Sequence, residues 1–339
     1  MTHEVSKEAL STTPNRPVTI LEVEEEIRAI LVRAKGVVQP YATQILEGPG
    51  KRLRPTLLIL FSQLFQKAER EKVIVCSACC ELLHTASLIH DDVVDEAKVR
   101  RGNASLNSKF GNQTAVLVGD LILALDFKRL SELKDFEILR MTLSCAEELG
   151  IGAIEEITNK ANFNLSEENY LRIIANKTGS LFKLASMLGA YLGKADKNVV
   201  ESSGRYGNLF GQAFQIIDDI LDLSVTKRDA LKPTFNDLKE GRVTLPIIHA
   251  LGIDREKTLE LVEAWQVRKD ESAENAIRNH LTEIGSFTYS FNKAVSIIMS
   301  ARNELSSIQS FFLHKDVIED LRAIERRVLD QVPEHIRGQ

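Results

Sequence analysis

Long apolar segments with few helix-breaking residues dominate this sequence. Its 339 residues include only 18 glycines and 8 prolines, and a low content of both favours long helices over a turn-rich β architecture. Apolar residues recur at helical spacing, and no stretch shows convincing strand alternation. We therefore predict an all-α fold, with one domain over residues 19–339 and a flexible tail over residues 1–18.

The predicted helices are placed by apolar periodicity and by the breaks between them. The first is expected over residues 20–46, before the break Gly48-Pro49-Gly50, and the next opens at Arg54-Pro55 because proline suits a first helical turn. Further helices are predicted over 73–95, 115–133, 136–161, 167–192, 197–224 and 245–251. Two or three amphipathic helices are expected between residues 255 and 332.

Charge, cysteine content and the N-terminal residues argue against several classes of protein. A net charge of −5 gives no reason to expect nucleic acid or an anionic membrane as a partner. The four cysteines lack the second ligand pair of a metal site, so we expect buried, reduced thiols. No signal peptide and no apolar run near the ~20 residues of a membrane span is evident. We expect a cytoplasmic protein without a transmembrane segment.

Two aspartate clusters end long apolar helices, as HDDVVD and IDDILD. The first comprises Asp91, Asp92 and Asp95, and the second comprises Asp218, Asp219 and Asp222. Residues four apart share a helix face, so two carboxylates of each cluster point the same way. This arrangement suits Mg²⁺, which shares its ligands with phosphate oxygens and water. The alternative, a solvated acidic cap, fits poorly with the apolar flanks and opposes the helix dipole.

Cationic residues lie in or beside the loops near both clusters. They are Lys51, Arg52, Arg54, Arg100, Arg101, Lys177, Lys232 and Lys239. Each alone would be a solvated surface charge, but the set indicates two diphosphate sites, one of them bound without metal. Such a site predicts ionisation of an allylic diphosphate and attack by the double bond of a second substrate. The pocket must then shield the carbocation from water.

Glu81 and His84 form one E-x-x-H pair, which is half of the motif of a di-iron bundle. The sequence holds no second copy, which argues against a di-iron centre. His84 is either an ordinary histidine on a helix face or a residue that helps to hold a diphosphate.

The sequence resembles the trans-type polyprenyl diphosphate synthases. The matching motifs cover most of residues 45–250 in the expected order: GKRLRP (50–55), ELLHTASLIHDDVVDEAKVRRG (81–102), GNQTAVLVGD (111–120), Lys177-Thr178, GQAFQIIDDILD (211–222) and NDLKEGRVTLP (236–246). The resemblance implies a bundle of about ten or more helices around a central cavity, and a homodimer. It also implies head-to-tail condensation of isopentenyl diphosphate with farnesyl or geranylgeranyl diphosphate, with about three Mg²⁺ ions per active site.

The resemblance assigns roles to individual residues. The six aspartates and Lys177 would carry catalysis, with Asp91, Asp95 and Asp218 as the main metal ligands and Asp92, Asp219 and Asp222 assisting directly or through water. Isopentenyl diphosphate would be bound by Lys51, Arg54, His84 and Arg101. The allylic diphosphate would be bound by Arg100, Lys177, Thr178, Gln215 and Lys232.

Product length is predicted from the residues before the first cluster. Ser87 and Ala86 lie four and five positions before Asp91, about one helical turn or ~5.4 Å deeper. In the family, bulky aromatic residues there close the pocket early. Two small residues predict an open tunnel and a product of about C30–C40. The next barrier is expected on the following helix, near Leu123, Leu125 or Phe127.

Several positions depart from the family pattern. They are Ala153 and Glu156 in place of Glu and Gln, Gly179 in place of Ala, and Leu231 and Phe235 in place of loop glycines. Glycine often supplies a positive φ, so this loop is expected to close differently. The departures bear on substrate affinity or rate and leave the metal ligands intact.

Two other functions remain open. A class I terpene cyclase would share the first aspartate cluster, but would lack the GKRLRP and RRG segments that serve a second diphosphate. The other alternative is a non-catalytic or regulatory partner subunit of a synthase. The departures in segments 152–156 and 231–236 favour that alternative, and the retained aspartates oppose it.

Overall fold

The structure, a computed structural model, describes residues 18–34, 36–41, 51–66, 68–100, 102–225 and 234–338. Residues 1–17 of the predicted tail lie outside the described residues, as do Arg101, Leu231 and Lys232. The prediction of one domain over residues 19–339 therefore stays a prediction.

Sixteen α-helices occur among the described residues. In chain order they are α1 (Ile20–Val32), α2 (Leu53–Gln63), α3 (Arg70–Val94), α4 (Leu106–Phe110), α5 (Asn112–Glu132), α6 (Phe136–Thr158), α7 (Glu167–Ile174), α8 (Ser180–Leu192), α9 (Lys197–Ser224), α10 (Asn236–Lys239), α11 (Leu245–Ile253), α12 (Arg255–Arg268), α13 (Glu271–Glu283), α14 (Ser286–Ile308), α15 (Val317–Leu329) and α16 (Glu334–Arg337). The only sheet among the described residues is an antiparallel pair of two-residue strands, β1 (Val99–Arg100) and β2 (Asn103–Ala104). The all-α prediction is confirmed.

Helix α9 forms the centre of the packing and ends in the second aspartate cluster. It packs against α8 on one side and α14 on another. Gly207 permits the close crossing with α8, because a Cβ there would lie 2.3 Å from the carbonyl oxygen of Phe182. Beside this crossing, the rings of Phe182 and Phe210 pack edge to face at 5.3 Å. A rigid aromatic core thus fixes the helix that carries Asp218.

Helix α3 carries the first cluster and packs against α5, α2 and α8. By length and composition it could cross a membrane, although 67% of its most apolar window is buried inside the protein. The expectation that no apolar run approaches the length of a membrane span was wrong for this helix. A core helix of a globular fold passes the same test, because a helix buried on most sides is apolar on most sides.

All four cysteines are buried free thiols, as predicted. Three of them lie on α3 and Cys145 lies on α6. Burial raises the pKa of the Cys145 thiol to about 12, so it stays protonated and unreactive at neutral pH.

Three element predictions were wrong. The first helix ends at Val32 instead of residue 46, and Gly36 follows with a positive φ of 82°. The stretch 167–192 is divided by a π-helical turn, Ala175–Gly179. Residues 255–332 form four helices instead of two or three, because left-handed residues at Lys269 and Gly285 separate short amphipathic segments.

Candidate active site

The first aspartate cluster lies at the C-terminal end of α3, where two carboxylates contact cations from other elements. Asp95 accepts from Lys160 Nζ at 2.9 Å and from Arg242 Nη1 at 3.2 Å, one bond on each carboxylate oxygen. Lys177 Nζ lies 3.7 Å from Asp91 Oδ2. Burial acts to raise the pKa of Asp95, but Lys160 and Arg242 outweigh it and hold that pKa below its usual value.

Asp91 has the opposite shift. Burial raises the pKa of Asp91, and the nearby Lys177 only partly opposes the effect. A divalent cation at this carboxylate would favour its charged form.

Asp92 has different partners from the other two carboxylates of its cluster. It is buried, and Arg100 Nε donates to its Oδ1 at 2.8 Å. Its backbone carbonyl accepts from the Asn107 side chain at 2.9 Å. Asp92 and Arg100 thus join the hairpin to the end of α3.

The second cluster lies at the end of α9, and its three carboxylates have different surroundings. Asp218 is exposed, whereas Asp219 is buried and accepts from Tyr170 Oη at 2.6 Å and Gln215 Nε2 at 2.8 Å. Asp222 accepts from the backbone N–H groups of residues 236 and 237 at 3.1 and 3.2 Å. Burial raises the pKa of Asp219 well above its usual value and that of Asp222 to about 8.

Phe235 keeps a glycine-like backbone in the loop after α9. Its φ of 60° and ψ of 24° are left-handed, a region that a bulky residue seldom adopts. Its buried ring packs near Trp265, with 5.9 Å between ring centroids. Packing of the aromatic ring therefore maintains a turn for which the family pattern has glycine.

Arg242 links the first cluster to the segment that follows the second cluster. Besides Asp95, its guanidinium contacts Asp237 at 2.9 Å, Glu156 at 3.9 Å and Glu240. Asp237 follows α9 and its cluster, whereas Asp95 ends α3. Because the Asp237 N–H also donates to Asp222, the partly buried Arg242 holds the end of α3 near the end of α9.

The π-helical turn presents Lys177 and Thr178 to this region. Lys177 Nζ donates to Glu156 Oε2 at 2.5 Å. Thr178 Oγ1 donates to Gln215 Oε1 at 2.8 Å, and Gln215 in turn donates to Asp219. Single π turns of this kind often occur at functional sites. The turn thus brings three of the predicted allylic-site residues into one region.

The residues predicted to bind isopentenyl diphosphate lie near the start of α2 and on α3. The Arg54 guanidinium lies 4.5 Å from the centroid of the Phe182 ring. Lys51 is exposed, lies 5.8 Å from the Phe214 ring and contacts Gln331. His84 is half-buried on α3, one turn before the half-buried Ser87 and close to the fully buried Ala86.

Glu81 has an ionic partner that the sequence analysis did not predict. Its carboxylate accepts from Arg52 Nη1 at 2.6 Å, and Arg52 Nε also donates to Glu24 at 3.2 Å. The E-x-x-H pair thus contributes an ion pair between α3 and the start of α2.

The aspartate carboxylates of the two clusters are suitable ligands for a hard divalent cation that also binds phosphate oxygens. Within the described ranges, no three metal-binding side chains converge on one point. The carboxylates are instead paired with side-chain cations. Asp91 and Glu156 share Lys177, while Asp95 and Glu156 share Arg242. Side-chain cations therefore already occupy positions around these carboxylates.

Sequence reasoning missed several members of the site. They are Lys160, Tyr170, Asp237, Glu240 and Arg242, while Glu156 was noted only as a departure. Asp237, Glu240 and Arg242 lie within the quoted segment NDLKEGRVTLP, so that motif could have revealed them. Lys160 and Tyr170 lie in no quoted motif, and only tertiary structure brings them to the aspartates.

The sequence is similar to those of known proteins. The family model described as polyprenyl synthetase matches residues 35–284. An octaprenyl diphosphate synthase of Haemophilus influenzae is 34% identical over 274 residues, which cover 80% of this chain and 83% of the relative. Component 2 of a heptaprenyl diphosphate synthase of Geobacillus stearothermophilus is 35% identical over 235 residues, covering 69% of this chain and 73% of the relative.

A solved structure shares the same fold. The polyprenyl synthase of Caulobacter crescentus, complexed with calcium and isoprenyl diphosphate, matches with a TM-score of 0.79 and 26% identity. The match covers 93% of this chain and 99% of that one.

Proposed function

This chain belongs to the polyprenyl synthetase family, and we propose that it condenses isopentenyl diphosphate with farnesyl or geranylgeranyl diphosphate, head to tail. The product we propose is a trans-polyprenyl diphosphate of about C30–C40, because Ala86 and Ser87 are small. One observation carries the proposal: Arg242 pairs Asp95 at the end of α3 with Asp237, whose N–H donates to Asp222 at the end of α9, while Lys177 lies beside Asp91. Octaprenyl and heptaprenyl synthases among the relatives support the chain length.

We propose that Asp91, Asp95 and Asp218 hold Mg²⁺ together with the allylic diphosphate. When bound, the metal neutralises the charge that develops on the departing diphosphate. We assign Asp92, Asp219 and Asp222 to supporting the ligands rather than to direct coordination, because Asp92 and Asp219 are buried and both oxygens of Asp222 accept from backbone N–H groups. The Caulobacter relative with bound calcium and isoprenyl diphosphate is consistent with this role.

The chain's own groups would act on the substrates. Lys177 and Thr178 would donate to the leaving diphosphate as the allylic C–O bond breaks. Arg54, Lys51 and His84 would orient isopentenyl diphosphate so that its double bond attacks the carbocation. The released diphosphate would then accept the proton lost from the new chain.

The test is product formation by the purified chain. With isopentenyl diphosphate, farnesyl diphosphate and Mg²⁺, we expect products of about C30–C40, and Asp91→Asn should reduce the rate by about 100-fold or more. Asp320→Asn, an exposed carboxylate on α15, is the matched control and should leave the rate unchanged. A cyclic hydrocarbon product would instead indicate a terpene cyclase.

A second candidate is a chain that works only with another component. The Geobacillus relative is named as one component of its synthase, and Ala153 and Glu156 depart from the family pattern. In the same assay, an absence of elongated product from the chain alone at saturating Mg²⁺ would favour this candidate.

We also propose a homodimer formed through α5 and α6. Exposed apolar side chains follow these two helices: Leu117 (68% exposed), Leu143 (48%), Ile151 (45%), Ile154 (64%) and Ile157 (42%). Apolar stripes of this kind mark association surfaces. Ile154→Glu should convert a dimer to a monomer in sedimentation velocity, whereas an unchanged sedimentation coefficient would exclude this face.

Free buried thiols fit the cytoplasmic location that we propose.

A further inference from the structure

Lys160 lies beside the first cluster but belongs to none of the motifs quoted above. Its Nζ donates to Asp95 Oδ1 at 2.9 Å, while Arg242 takes Oδ2 at 3.2 Å. Only 8% of the Asp95 side chain and 27% of the Lys160 side chain are exposed. The ion pair is thus largely shielded from water, unlike a surface pair that solvent would weaken.

Three hydrogen bonds hold the loop that carries Lys160 in place. The Lys160 N–H donates to Ile157 O at 3.2 Å, which ties the loop to the end of α6. The next N–H, that of Ala161, donates to Gly241 O at 2.7 Å, directly before Arg242. Arg255 Nη1 donates to Phe163 O at 3.1 Å. The backbone therefore places the cations of Lys160 and Arg242 together.

The backbone conformation of Ala161 shows that the loop beside Lys160 is constrained. Its φ is 56°, in the left-handed region that non-glycine residues adopt at a cost unless surrounding contacts fix them. The hydrogen bond to Gly241 supplies such a contact. The fixed backbone sets where the Lys160 side chain begins, and the ion pair with Asp95 holds its ammonium group.

We propose that Lys160 is a further binding residue for the allylic diphosphate, a proposal that rests on the function proposed above. A metal ion held by Asp95 would compete with the ammonium group of Lys160 for that carboxylate. The fixed loop keeps that ammonium group beside Asp95. The anion next to a metal-ligating Asp95 is the diphosphate, so Lys160 passes from the carboxylate to a diphosphate oxygen.

The proposal predicts two opposite effects of Lys160→Gln. Without substrate, the full-length variant should bind Mg²⁺ several-fold more tightly than the wild type, because an ammonium group no longer competes for Asp95. At saturating Mg²⁺, it should bind the unreactive analogue farnesyl thiodiphosphate about tenfold more weakly, because a charge-assisted hydrogen bond is lost. Both dissociation constants are measured by isothermal titration calorimetry.

Matched variants separate a binding role from a structural one. Lys183→Gln removes a similar pair, Lys183 with Glu148 at 2.6 Å, and should leave both constants within about twofold of wild type. Lys160→Arg should restore most of the analogue affinity. Isopentenyl diphosphate affinity should not change in any variant.

An unchanged analogue affinity in Lys160→Gln would overturn the proposal, and so would equal weakening of analogue and isopentenyl diphosphate binding. Circular dichroism melting checks that each variant is folded. Wild-type turnover is measured in parallel, so an inactive wild type would count against the proposed function, while the binding constants still decide the role of Lys160.

Discussion

The buried carboxyl of Asp126 gives a prediction that can be worked through quantitatively. It lies on α5, packed against α3, and is fully buried. Neither carboxylate oxygen has a hydrogen-bond partner among the described residues, and the Cys79 thiol contacts the backbone carbonyl of Asp126 instead, at 3.9 Å. Burial raises the pKa of Asp126 to about 8. We predict that Asp126→Ala stabilises the protein at alkaline pH.

The sign and size of the effect follow from linkage. Because the folded pKa exceeds the unfolded value of ~3.9, the stability from this group is fully present below about pH 4 and is lost as pH rises through about 8. The free energy of unfolding falls by at most ~1.4 kcal/mol per pH unit in that window. An unpartnered buried polar group costs about 1–3 kcal/mol in mutational data, and the small cavity left by alanine offsets part of this. Between pH 5.5 and pH 8 this slope lowers the free energy of unfolding of the wild type by about 3 kcal/mol, so we expect Asp126→Ala to gain about 3 kcal/mol at pH 8 and to differ little at pH 5.5.

Differential scanning calorimetry of both proteins at pH 5.5 and pH 8 tests this reasoning. The melting temperature of Asp126→Ala should exceed that of the wild type by roughly 4 °C at pH 8, with little difference at pH 5.5. Asp320→Ala, which removes an exposed carboxylate, should show no such pH dependence. A lower melting temperature at pH 8, or the same difference at both pH values, would refute the reasoning.

Three further predictions concern the site and the core. Ala86→Phe should shorten the product by one or more isoprene units, measured by chromatography of the dephosphorylated products; an unchanged spectrum in a variant with wild-type melting would refute the open-tunnel hypothesis. Glu156→Gln should lower KM for farnesyl diphosphate several-fold, because Lys177 loses a carboxylate at 2.5 Å that competes for it; a raised KM would show that Glu156 instead positions Lys177. Gly207→Ala should destabilise the fold by about 1–3 kcal/mol in thermal melting, because its Cβ would lie 2.3 Å from the Phe182 carbonyl oxygen, whereas Gly252→Ala, with no neighbour within 4 Å, is the control.

Helices with strong periodicity and clear ends could be predicted from the sequence. Helix α9 was predicted over 197–224 and spans Lys197–Ser224, and α3 was predicted over 73–95 and spans Arg70–Val94. Both are long and apolar, and tertiary packing favours the same conformation as local propensity. The predicted end of the first helix was wrong because apolar residues continue at helical spacing past Val32, where the helix ends.

The aspartates were predictable because each cluster is a local pattern. The cation network around them was not. Lys160 and Arg242 lie in different loops and meet at Asp95 only after the chain folds, and a backbone hydrogen bond between residues 161 and 241 sets their positions. Charge pairs between distant loops leave no periodic signal in a sequence. Phe235 is similar, since its positive φ is maintained by packing against Trp265.

The central claim is that the two aspartate clusters act as one Mg²⁺-dependent site. The direct measurement is kcat/KM for polyprenyl product formation in Asp91→Asn, Asp218→Asn and the double variant at several Mg²⁺ concentrations. If both carboxylates serve one site, each single change should cost about 100-fold or more, and the double variant should be little worse than either single variant. Full activity in both single variants, or product formation that is independent of Mg²⁺, would contradict the claim.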